Sequence, residues 1–136
     1  MLISTNSVNT LAEKIKEGRE VFCSGLFLSA RWFAVSQLDH DGIQLIIMPD
    51  KESAEYCSVD LYNLVEGDKV FFLPDSGKSL ERSNYKSSLG VQRTAAIGKI
   101  LEHTDGQLII VTYPSALEEG IPSAEKIKEA LLKLKV

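Results

Sequence analysis

The chain has 136 residues, enough for one compact domain with its own core and too few for two of ordinary size. Its net charge of -4 argues against a broad electrostatic footprint on DNA or RNA, and no run approaches the ~18 apolar residues of a membrane span. The opening Met1-Leu2-Ile3-Ser4-Thr5-Asn6 lacks the charged head and long apolar core of a secretion signal, so the sequence predicts a cytoplasmic protein without a membrane partner.

Residues 8–17 place Val8, Leu11, Ala12 and Ile15 at helical spacing, and Gly18 follows as a stop signal. Val21-Phe22-Cys23 is a short apolar run that predicts a first strand. Ser24-Gly25 then turns the chain into a helix over 29–38, mostly buried through Trp32, Phe33, Ala34 and Val35. Strand, glycine turn and helix in that order is the layout of a phosphate-binding loop. A working loop needs Gly, four residues, then Gly-Lys-Ser/Thr, so that backbone N–H groups and the lysine wrap the phosphates and a hydroxyl holds magnesium. Here Gly25 is followed, after Ser29, by Ala30, Arg31 and Trp32 at those positions. The Ala30 methyl crowds the loop, and Trp32 offers no oxygen to a metal. The pattern is that of a nucleotide-binding scaffold that has lost its nucleotide.

Asp39-His40-Asp41-Gly42 is turn chemistry, and residues 43–48 are nearly all aliphatic, as expected of a central parallel strand covered on both faces. Pro49-Asp50 ends that strand, and Asp50 can cap a helix over 51–65 that keeps Ala54, Cys57, Leu61 and Leu64 on one face. Gly67-Asp68 turns into a strand over 69–73, and the polar stretch 74–88 predicts an ordered but mobile loop. A helix over 89–101 packs Ala95, Ala96, Ile97 and Ile100 inward, with Gly98 weakening it. Residues 108–112 form a last aliphatic strand ended by Pro114-Ser115, and an amphipathic helix over 123–134 closes the chain.

Helices alternating with short aliphatic strands predict an α/β fold with a mostly parallel sheet, covered by helices and joined by right-handed crossovers. Ligands on such sheets sit at the carboxyl ends of the strands. That edge carries Gly25, Pro49-Asp50, Pro74-Asp75 and Tyr113-Pro114.

Other chemical candidates read as structural. Gly77-Lys78-Ser79 lacks the upstream glycine of a phosphate loop, since position 72 is Phe72, and is taken as a flexible loop. His40 and His103 sit beside turns without a second ligand at metal spacing. Cys23 and Cys57 are too far apart for a zinc site or redox pair and read as small buried hydrophobes. Asp50 and Asp75 lie at strand ends, where catalytic carboxylates are found, but capping and turn formation account for both. Arg31 reads as a solvent-exposed or ion-paired side chain, with pairing to an anion at a helix start as the alternative. Lys126, Lys128, Lys133 and Lys135 alternate with Glu125 and Glu129 as a solvated helix face.

Four segments in this order resemble a known family. They are Gly25-Leu26-Phe27-Leu28-Ser29-Ala30-Arg31, then Ile46-Ile47-Met48-Pro49-Asp50-Lys51-Glu52-Ser53-Ala54-Glu55, then Phe71-Phe72-Leu73-Pro74-Asp75, then the run from Leu108 to Leu117. With Gln92-Arg93 and the helix after it, they are similar to the N-terminal end of bacterial transcription-repair coupling factors (Mfd), over nearly the whole chain. The weight lies in order and spacing, because no single motif is as specific as a complete Walker box. The resemblance implies a RecA-like, P-loop-NTPase-like three-layer sandwich with a degenerate phosphate loop, akin to the first such domain of the repair protein UvrB. Residues 1–122 would form that domain, and residues 123–136 a helix leading to a following domain.

The resemblance further implies a non-catalytic module that scaffolds UvrA recruitment and interdomain regulation in transcription-coupled nucleotide excision repair. The longer parent would be an ATP-dependent DNA translocase acting on stalled RNA polymerase. ATP and magnesium would bind only at its downstream motor, UvrA mainly at the following domain, and RNA polymerase and DNA at downstream domains. The rival readings are a free-standing α/β regulatory or ligand-binding domain, and a helicase fragment that binds nucleotide weakly through Arg31.

Overall fold

Three short aliphatic runs find one another in a parallel sheet. They are β1 (Gly42–Ile47), β2 (Val70–Phe72) and β3 (Gln107–Thr112), in the order β1-β3-β2. The computed structural model describes residues 5–38, 41–66, 68–77 and 84–133. Parallel neighbours need long crossovers. The first runs through α3 (Lys51–Leu64) and the second through α4 (Asn84–Glu102). Two helices precede the sheet, α1 (Thr5–Lys16) and α2 (Ala30–Ser36), and two follow it, α5 (Pro114–Glu118) and α6 (Ala124–Lys133).

The period-two alternation of β3 divides the core into two. Ile109 and Val111 pack on one face with Trp32 of α2 and with Ala54, Cys57 and Leu61 of α3. Leu108 and Ile110 pack on the other with Ala96 of α4, flanked by the partly buried Ile97 and Ile100. Helices therefore cover both faces of the sheet, the α/β arrangement predicted from the alternation of elements.

Two strand assignments need correcting. Val21-Phe22-Cys23 forms no strand: Phe22 is 93% exposed and Cys23 lies open to solvent. Three apolar residues carry strand propensity, but a strand exists only where its N–H and C=O groups meet a neighbouring ladder, and none runs beside these residues among those described. The run at 43–48 is also not central. It is an edge strand, with Ile43, Leu45 and Ile47 exposed at 41%, 52% and 54%. The centre belongs to β3, whose residues Leu108 to Thr112 are all buried.

Smaller differences follow from local chemistry. Pro114 starts helix α5 instead of only ending β3, because proline at the first helical position loses no hydrogen bond. Helix α4 begins at Asn84 rather than near Leu89, so the expected loop is shorter, and residues 78–83 within it lie outside the described residues. Asp50 caps α3 as expected, accepting a hydrogen bond from the Ser53 backbone N–H at 2.8 Å.

Candidate functional site

The segment expected to be a degenerate phosphate loop is built without a strand behind it. Gly25 turns the chain at φ 80°, and Leu28, a non-glycine residue, adopts φ 51°. Left-handed backbone at a leucine is strained, and it throws Phe27 and Leu28 outward at 76% and 83% exposure. Three backbone N–H groups at the start of α2 are already engaged within the chain. Ala30 N–H donates to the Phe27 carbonyl, and Trp32 and Phe33 N–H donate to the Ser29 carbonyl. The Ser29 hydroxyl donates to Asp60 Oδ2 at 2.8 Å, which ties the loop to α3.

Arg31 and Trp32 stand where the lysine and hydroxyl residues of an intact loop would follow the second glycine. Trp32 is buried in the core beside Met48, Cys57 and Tyr113. The exposed Arg31 guanidinium lies 4.6 Å from the centre of the Trp32 ring, in cation–π contact. Ala30 is half-buried. Five positions that serve phosphate in an intact loop are thus spent on turning, tethering and packing.

The carboxyl ends of β2 and β3 carry a second arrangement. Asp75 and Tyr113, both visible at that edge in the sequence, are brought together. The Tyr113 hydroxyl donates to Asp75 Oδ2 at 2.9 Å and accepts from the Asp75 N–H at 3.0 Å. Asp75 Oδ1 accepts from the Gly77 N–H, and the Ser76 N–H donates to Glu119 Oε2 at 2.6 Å. Under this loop the buried Arg93 of α4 spreads its guanidinium over three carbonyls. Its Nη1 donates to Pro74 at 2.7 Å and Ala116 at 3.1 Å, and its Nη2 to Glu119 at 3.0 Å. One cation therefore pins the loop after β2 to the middle and the C-terminal end of α5.

Burial pushes the Tyr113 hydroxyl up to about 12, and its hydrogen bond to the Asp75 carboxylate acts in the same direction, against the Asp75 backbone N–H. At neutral pH it is a hydrogen-bond donor and not a base. Asp50 takes no part in this cluster: both its oxygens are used by Ser53 at the start of α3. The strand-end landmarks Asp50 and Asp75 are engaged in capping and turn formation, as the structural alternative had it.

Sequence reasoning undervalued Arg93, Tyr113 and Glu119. For Arg93 a signal existed: it falls in register with Leu89, Ala96, Ile97 and Ile100 on the inward face of its helix, where a charge needs an internal partner. Glu119 carried none, because its role depends on where α5 turns.

The remaining candidates separate. Cys23 is exposed and not buried as expected, because the strand that was to bury it does not form. Cys57 is buried, and burial raises its thiol to about 12, outweighing the lowering by Arg31; Asp60 adds to the rise. His103 lines a polar depression with Asp68, Lys99, Glu102 and Asp105 at the opposite end of the sheet. His40, Lys78, Ser79 and Lys135 lie outside the described residues. Among the described residues, no group of three or more His, Cys, Asp or Glu side chains could hold a metal ion, and no helix is long and apolar enough to cross a membrane. Comparison of the chain with protein-family models, with curated proteins and with solved structures finds no significant match.

Proposed function

We propose that this chain is a non-catalytic module of a transcription-repair coupling factor, a RecA-like domain that holds the neighbouring UvrA-recruiting domain and packs against the rest of that protein. One observation carries the reading. On a parallel α/β sheet, the residues at phosphate-loop positions are committed elsewhere: Trp32 to the core, Arg31 to its ring, Ser29 to Asp60. The closed strand-end cluster of Arg93, Asp75 and Tyr113 adds to it, since the edge at which such sheets take ligands is cross-linked by the chain itself.

The test is UvrA binding by the full-length factor. Ile109→Asp places a charge at a fully buried position of the central strand and disorders this domain, whereas Val91→Asp alters a surface position that is 66% exposed. Loss of UvrA binding with Ile109→Asp, and retention with Val91→Asp, is the expected result. Equal binding by both variants would remove the scaffolding role.

A further inference from the structure

The outer edge of β1 is unfinished in a way that specifies what completes it. In a parallel pair, alternate residues direct both backbone groups to the same neighbour. Gly42 N–H donates to Gly106 and Met48 N–H to Thr112, so the even-numbered residues of this strand face β3. The N–H and C=O groups of Ile43, Leu45 and Ile47 therefore point away from the sheet, to an edge with no paired strand among the described residues. Their side chains share the α4 side of the sheet with Leu108 and Ile110, yet stay 41% to 54% exposed.

A groove of about 320 Å³ runs along this edge, walled by Ala12, Ile15 and Lys16 of α1, by Val35 of α2 and by Leu38 just after it. Two polar groups line it. Gln44 donates through Nε2 to the Leu38 carbonyl, while its Oε1 is buried and accepts no hydrogen bond among the described residues. Among the described residues, Lys16 is the one charged side chain in the wall. Natural edge strands are guarded by charges, proline or bulges against pairing with other chains. The run from Gly42 to Met48 contains no charged residue and no proline.

We infer that the β1 edge is a strand-addition site. Its occupant is an extended peptide segment from outside residues 1–136, with aliphatic side chains at alternate positions and a carboxylate at one end to meet Lys16. The strand's main chain pairs with Ile43, Leu45 and Ile47, its aliphatic side chains extend the apolar face, and a donor from it reaches Gln44 Oε1. Val21-Phe22-Cys23 of the same chain does not fill the role: it forms no strand, and Phe22 stands 93% exposed. The site is independent of the UvrA reading and would hold for either rival function.

The probe is a pair of acetylated, amidated hexapeptides of alternating valine and threonine, one with aspartate first and one with aspartate last. Added at about 1 mM, one of them slows amide exchange at Ile43, Leu45 and Ile47 by about tenfold or more. Leu45→Lys abolishes that protection while Ile109 and Ile110 amides stay protected, showing that the sheet still folds. N-methylating the peptide amides that face β1 also abolishes it, which distinguishes main-chain pairing from apolar adhesion. The inference is overturned if neither peptide protects those amides. It is equally overturned if they become protected without peptide as the protein is concentrated, since the occupant is then a second copy of the chain.

Discussion

Arg93 shows how one side chain can determine the shape of a sheet edge. Arg93→Ala strips the Pro74 and Ala116 carbonyls of their buried donor, and the expected loss is about 3 kcal/mol of unfolding free energy in urea. Arg93→Lys recovers only part of it, because an ammonium cannot present the planar fork that reaches three carbonyls. Tyr113 links the same cluster to pH. Its folded pKa of about 12 lies above the ordinary tyrosine value of 10.0, so the folded state holds the proton more tightly. Its stabilising contribution is complete below pH ~10 and is lost as pH rises towards ~12. Tyr113→Phe should flatten that part of the stability curve, as followed by circular dichroism. Cys57, raised in the same direction, remains as background in both proteins. The two thiols should separate kinetically: a disulfide reagent at pH 8 labels Cys23 at once, and Cys57 only at the rate of unfolding.

Among the elements, β1 and β3 look alike in sequence and differ in place. Ile109→Asp in the central strand is expected to cost about 4 kcal/mol or more and to unfold the domain. Ile47→Asp at the half-exposed edge should cost about 1 kcal/mol, as a pair of denaturation curves would show. An aliphatic run is compatible with either position, so periodicity alone could not separate 43–48 from 108–112. What decides is the crossover: α3 carries the chain past the slot that β3 later fills. Helix α3 was legible for the opposite reason, since Ala54, Cys57 and Leu61 recur at a spacing only a one-sided helix explains. The strand expected at Val21-Phe22-Cys23 failed because its existence depends on a neighbour that the local sequence cannot supply. The candidate site was half legible. Asp75 and Tyr113 could be placed at one edge from strand ends alone, whereas the three carbonyls of Arg93 required the fold of α5.

For the whole molecule, the two function classes divide on nucleotide. A ligand present at 100 times its dissociation constant stabilises by about 2.7 kcal/mol, so ATP with magnesium at millimolar concentration would visibly raise the melting temperature if it bound even with micromolar affinity. The expected shift is zero. A rise that disappears in Arg31→Ala would favour the helicase-fragment reading instead. The sheet order has a further consequence, for synthesis on the ribosome. Both strand pairings wait for β3, the last of the three strands among the described residues, and link residues as far apart as Gly42 and Gln107. Until that segment emerges, β1 and β2 have no partner, and the nascent chain carries two unpaired aliphatic strands flanked by helices. Folding should therefore begin late and abruptly, when the centre of the sheet arrives, and a translational pause just before residue 107 would prolong the interval in which those strands are open to chaperones or to aggregation.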